Sequence, residues 1–438
     1  MSEDMFVPFR TVKEIDNIYG NLIVNEATVK ATPSGLISVS GNIECRGDCI
    51  FLGNLKAFSL NVNDGELEVS GSLNIEKRIR ARVLKVNGNV STNRIDVDKT
   101  IYILGNLHAK HIQVGGNLRL NGEGSSDLVN VGGAFESNSF EFKEINVGGT
   151  YKAIGAIKGN RLSVSGVFKA EKEVNVEEID VGGTIRIQGN VSSNLLNAGG
   201  TIEINGGDIK GRLVSGGIIR SNEYLNFERL NAGGAITLHG GSGEDIDVGG
   251  SFVSHGNLKF KNIDVGGTVK INGDADGYGI DVGGTVKVRG NLTLSNSIEV
   301  GGTIVIDDVL KARSVKAGRK IQAMKIEATE EIDTYILRTQ YGTKANRIDI
   351  GKRGEVEGPI IAEKIFLREK VEAEDIYANI LTLKKDCRVK NIYAHKIYIA
   401  SECKISGEVH YTESLEADRS VLFQKTPKKT EKLPDPPF

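Results

Sequence analysis

Ile280-Asp-Val-Gly-Gly-Thr-Val-Lys-Val-Arg-Gly-Asn-Leu-Thr-Leu294 is the stretch from which the architecture follows. Its apolar side chains alternate with polar ones in three short runs: Ile280 and Val282, Val286 and Val288, Leu292 and Leu294. Period-two alternation is the signature of a half-buried strand, and the Gly-Gly and Gly-Asn pairs between the runs mark turns. Three strands joined by three corners make one triangular coil.

Outward from this segment, the glycine doublet recurs every 16 to 18 residues. Its first members are Gly115, Gly132, Gly148, Gly182, Gly199, Gly216, Gly233, Gly249, Gly266, Gly283 and Gly301, and Ser165-Gly166 fills the vacant beat. A period of about 17 residues is too short for a helix pair or a propeller blade and fits one coil of a β-solenoid. The predicted fold is all-β: a single-stranded parallel β-helix of triangular cross-section. About six inward aliphatics per coil, at roughly 1.5–3 kcal/mol each, do not offset about 1–2 kcal/mol of backbone entropy for each residue. A coil therefore needs neighbours above and below it.

Proline placement gives a separate test. The seven prolines are Pro8, Pro33, Pro359, Pro427, Pro434, Pro436 and Pro437, so residues 34–358 contain none. A strand hydrogen-bonded on both sides cannot lose an N–H, which is what this distribution respects.

Composition limits the function classes. The chain has 438 residues, formal net charge -2, 54 glycines and no tryptophan. Such a charge favours neither nucleic acid nor an anionic membrane as partner. No run approaches 18 apolar residues, and residues 1–10 lack a signal-peptide pattern, so a cytoplasmic protein is expected. Met5, Phe6, Val7 and Phe9 are read as a cap over the first coil, with weak membrane contact through Met5–Phe9 as the alternative.

Residues that invite chemistry are few. Cys45 and Cys49 fall near one end of the predicted coil, and Cys387 and Cys403 near the other, with about 22 turns of roughly 4.8 Å in all. No four-cysteine zinc site is expected from that spacing. Cys387 and Cys403 occupy equivalent positions and should stack in one inward column, within reach of a disulfide but serving as small buried hydrophobes in a reducing compartment. Gly240-Gly-Ser-Gly-Glu-Asp245 and Asp274-Ala-Asp276-Gly277 resemble fragments of calcium loops yet lack the remaining ligands, and both read as corners. His108 and His111 could share a metal, although no third ligand is evident; a solvated face is the simpler reading. No phosphate loop or nucleophile elbow is present. No catalytic residue, cofactor or metal is predicted, and the expectation is a non-enzyme.

Two outward columns stand out. Thr150, Thr184, Thr201, Thr268, Thr285 and Thr303 each follow a glycine doublet, and Asp247, Asp264, Asp281 and Glu299 each stand two residues before one. The acids should form a stripe, solvated or countered by Lys270 and Lys287, and able to meet cations or a basic partner.

After Gly318 glycine becomes scarce, while Lys and Glu become dense and the beat shortens to 16. Ile365-Phe-Leu, Leu381-Thr-Leu and Ile397-Tyr-Ile correspond to one another, as do Asp375-Ile-Tyr-Ala and Asn391-Ile-Tyr-Ala. Gly354-Glu-Val-Glu-Gly-Pro-Ile-Ile-Ala-Glu-Lys-Ile-Phe-Leu367 and Cys387-Arg-Val-Lys-Asn-Ile-Tyr-Ala-His-Lys-Ile-Tyr-Ile399 resemble bactofilins, the polymer-forming cytoskeletal proteins. The likeness is clearest over residues 350–423, and the glycine-doublet part shares only the period. It implies a right-handed helix, nucleotide-free filaments formed through the ends, and flexible tails.

The expected organisation is therefore an N-terminal segment or cap (1–35), a glycine-doublet β-helix (36–318), a bactofilin-like β-helix continuing it (319–423) and a disordered Pro/Lys-rich tail (424–438). Exposed strand edges at a solenoid end invite another end. Val421, Leu422 and Phe423 are the candidate self-association residues, and the predicted partner is a second copy of the chain. Other readings are a monomeric rod that binds protein clients along its faces, and a β-helix acyltransferase. The latter would need strict hexapeptide periodicity, which a 17-residue beat does not keep.

Overall fold

The computed structural model describes residues 4–437; the first three residues of the N-terminal segment and Phe438 of the tail lie outside that range. Regular structure among the described residues is entirely β-strand, and every recorded strand pairing is parallel. The chain is a parallel β-solenoid of about 25 turns with ~17 residues per turn. It divides into two compact units between Asn222 and Glu223.

In the first unit each turn contributes one strand to each of three sides. On one side Leu73, Val90, Leu107, Gly124, Phe140, Ile157 and Val174 lie in successive register. The next side carries Ile79, Ile95, Ile112, Val129, Ile145 and Leu162, and the third Ile101, Leu118, Phe135, Tyr151, Phe168 and Ile185. All of the aliphatics and aromatics just named are buried. Aromatic rings fill the middle of this unit: Phe135 stacks on Tyr151 at 4.6 Å and Tyr151 on Phe168 at 5.4 Å. The buried Tyr151 hydroxyl meets Ser137 Oγ at 3.0 Å, which satisfies a polar group that burial would otherwise penalise.

Residues 4–35, expected as a cap, already wind as coil. Met5–Val7 pair with Leu22–Asn25, Val12–Ile15 with Thr28–Ala31, and Asn17–Ile18 with Leu36–Val39. Val7, Ile15, Ile18, Leu22 and Val24 supply the inward alternation this requires. Pro33-Ser34-Gly35 is accommodated as an enlarged corner, which widens the stagger to that of Leu22 and Ile43. Phe6 and Phe9 point outward, 51% and 49% exposed, instead of closing the end.

The second unit repeats the scheme. Ile246, Ile263, Ile280, Ile298, Val315 and Ile332 form an inward column, and Ile348, Ile365, Leu381 and Ile397 stand in successive register further along the chain. Pro8, Pro33 and Pro359 all lie between strands.

Corners follow two designs. At the doublets, neither Gly283 nor Gly284 has positive φ. A Cβ on either would stand 2.4 Å from the carbonyl oxygen of its counterpart, Gly266 or Gly267, in the preceding turn. These glycines are there for close approach. From residue 353 onward the corners instead use one residue of positive φ per turn: Arg353 (60°), Lys370 (62°), Asp386 (59°) and Glu402 (63°). At the next corner both regions carry a polar ladder, in which an Asn or Asp oxygen accepts the N–H of the corresponding corner in the following turn. Examples are Asp274 to Asn291 at 2.7 Å and Asn391 to Glu408 at 2.7 Å.

Candidate self-association surface at the final turn

The last full turn is built from Val409–Ala417 and Leu422–Phe423. Ile392, Ile397, Lys404 and Ile405 set its register by pairing with Val409, Leu415, Leu422 and Phe423. Strand alternation then fixes orientation: Phe423 stacks over buried Ile405 and faces the core, whereas Leu422 follows Lys404 outward and is 60% exposed. Val421 occupies the place after Cys403 in an inward column. Ile397, Cys403 and Ile405 are buried, but Leu415, Val421 and Phe423 above them are only half-buried. Among the described residues, no strand pairs with the far side of Ser414–Ala417 or of Leu422–Phe423. This turn therefore combines open backbone edges with unfinished apolar packing.

Its third side is occupied. Of the segment expected to be disordered, 424–438, the described residues continue the coil: Lys428 and Lys429 pair in parallel with His410 and Tyr411, and the Thr430 N–H donates to the Tyr411 carbonyl at 2.8 Å. Lys425 lies 3.4 Å from Glu408. Further along, Leu433, Pro434 and Pro436 help line a groove of about 350 Å³ with Tyr377, Tyr393 and His395. The Tyr377 and Tyr393 rings stack at 4.8 Å, and His410 meets Tyr393 edge-on at 5.6 Å. The repeated Ile-Tyr-Ala of successive turns carried the signal for this ladder, because an outward residue at a 16-residue spacing must stack on its counterpart.

The remaining candidates fall at scattered places. Cys45, Cys49, Cys387 and Cys403 are buried free thiols. Cys387 and Cys403 hold equivalent positions, and their sulfurs donate to the Arg368 and Lys384 carbonyls at 3.0 Å each. Hydrogen bonding with Cys403, together with burial, pushes the Cys387 thiol up. Burial does the same for Cys45, beside Cys49.

Asp247, Asp264, Asp281 and Glu299 stand in successive register, followed by Lys316 and Asp333. Lys270 and Lys287 are neighbours in a separate column and make no ion pair with these acids among the described residues. Thr268, Thr285 and Thr303 are likewise in register, as are Thr184 and Thr201, while Val167 separates Thr150 from Thr184. Asp274 serves the corner ladder, and Asp245 lies between Arg229 and Asn262. His108 Nδ1 lies 2.7 Å from Ser125 Oγ in a groove of about 690 Å³ that Glu123, Glu141 and Glu173 also line. His111 follows Arg94 in a different column. No group of three His, Cys, Asp or Glu among the described residues is placed to hold a metal ion. Among the described residues no helix is long and apolar enough to cross a membrane.

No family model, curated protein or solved structure matches this chain.

Proposed function

We propose that this protein is a structural, non-enzymatic, bactofilin-like subunit that assembles end to end through its final turn, without nucleotide. The observation that carries this reading is the combination of unpaired edges at Ser414–Ala417 and Leu422–Phe423 with the half-buried set Leu415, Val421 and Phe423. A parallel edge offers N–H and C=O groups in the spacing a second strand needs, and apolar residues half out of water add a driving force for covering them. The resemblance over residues 350–423 points the same way.

The experiment is static light scattering and negative-stain microscopy on the purified chain and on Phe423→Glu and Leu422→Glu. Filaments are expected for the parent. Phe423→Glu places a charge in the core column and should suppress them, with Leu422→Glu weaker because its side chain points outward. Filaments of unchanged length in Phe423→Glu would overturn the proposal.

A second reading has one observation in its favour. Asp264, Asp281 and Glu299 are consecutive outward acids without an ion-pairing partner among the described residues, which suits a monomeric scaffold recruiting a basic protein along one face. Monodisperse, non-assembling particles would favour it.

A further inference from the structure

Among the described residues, the segment after Phe423 occupies the one side of the final turn whose edge is covered. Two different contacts hold it there. Lys428–Lys429 add a short parallel strand to His410–Tyr411, with the Thr430 N–H on the Tyr411 carbonyl at 2.8 Å. Beyond this, Leu433 and Pro434 enter the groove beside Tyr377, Tyr393 and His395. Prolines suit such a site, since an extended proline-rich segment lies on stacked aromatic rings with little further loss of conformational freedom.

The attachment is slight compared with the turns beneath it. Two residues pair, most of residues 424–436 are exposed, and the surface ion pair from Lys425 to Glu408 is of a kind that contributes little. A segment held by so few contacts opens far more readily than the core strands.

We infer that residues 424–436 are a releasable strap. Docked, it occupies the His410–Tyr411 edge and leaves two of three sides open to another copy; released, it presents a complete three-sided edge and promotes assembly. This rests on the end-to-end reading above.

The test uses the full chain carrying Thr430→Pro, which removes the donor to Tyr411, or Leu433→Glu, which puts a charge into the tyrosine groove. Neither substituted residue belongs to the final turn, and the open edges at Ser414–Ala417 and Leu422–Phe423 keep their own residues. Assembly is followed by light scattering as a function of concentration, and folding by circular dichroism and the melting midpoint. Removing one such hydrogen bond is expected to raise the extent of assembly at fixed concentration by a few-fold to about tenfold, with the midpoint unchanged. Equal, non-zero assembly of parent and variants would overturn the strap while leaving end-to-end association standing. A lowered midpoint with no gain in assembly would also overturn it, since residues 424–436 would then be a fixed part of the last turn. If neither parent nor variants assemble, the end-to-end reading fails and the strap falls with it.

Discussion

The glycine-doublet turns and the turns from residue 353 onward carry the same inward strands but bend the chain by opposite means. At Gly283 the backbone passes so close to the preceding turn that a Cβ would stand 2.4 Å from a carbonyl oxygen, while φ stays in the ordinary range. At Lys370, Asp386 and Glu402 the corner accepts a side chain, and the backbone adopts a left-handed conformation that L-residues disfavour. One design removes atoms; the other accepts strain. The second leaves the corner open to charged residues, so Lys and Glu stand there from residue 353 onward without loss of the repeat.

The largest expected effect breaks the first design. Gly283→Ala must displace either its own corner or the Gly266 carbonyl, and should destabilise the protein by about 2–3 kcal/mol, read as a shift in the denaturation midpoint. Stability equal to the parent would mean that close approach does not explain the doublets. A middle-sized effect concerns what the two regions share. Asp274→Ala and Asn391→Ala each leave a corner N–H without its side-chain acceptor, and each should cost about 1 kcal/mol. Very different losses at the two sites would show that the ladder matters in one region only.

A smaller change of opposite sign sharpens the contrast. Lys370→Gly relieves a positive φ and should stabilise by up to about 1 kcal/mol, whereas glycine at an ordinary strand position weakens it. A loss of stability in Lys370→Gly would argue that the lysine side chain, not the backbone, holds that corner.

The smallest effect is electrostatic and belongs to the first unit. Burial raises the Asp96 carboxyl, but hydrogen bonds from Arg94, at 2.9 Å, and from Arg78 outweigh it and hold the group below the usual carboxylate range. A carboxylate depressed by folding contributes stability above its unfolded pKa, near 3.9 for Asp, and that contribution is lost as pH falls through the lower folded value. Asp96→Asn should therefore cost roughly 1 kcal/mol or less at neutral pH, and the difference should vanish in strong acid. A difference independent of pH would assign the loss to packing instead.

Much of the fold was legible because its two signals are local: alternation reports which side chains face inward, and the glycine beat reports where turns meet. The left-handed corners were not legible, since Lys370, Asp386 and Glu402 are ordinary surface residues whose φ is imposed by the strands on either side. The first turns were hidden by the Pro33-Ser34-Gly35 insertion, which breaks the period although Leu22 and Val24 keep the alternation. Val421, Leu422 and Phe423, chosen from the sequence as candidates, lie in the final turn, and alternation from Ile405 distinguishes inward Phe423 from outward Leu422. The placement of residues 424–436 was not legible because a proline-rich, lysine-rich composition reads as disorder, and neither the pairing of Lys428–Lys429 nor the groove contacts of Leu433 and Pro434 leave a periodic signal.

Electron cryomicroscopy of the purified chain at high concentration tests the functional claim most directly. The account predicts filaments in which Ser414–Ala417 and Leu422–Phe423 of one copy pair edge to edge with strands of the next, covering Phe423. Assemblies joined through their sides, with the Leu422–Phe423 edge still facing solvent, would contradict it.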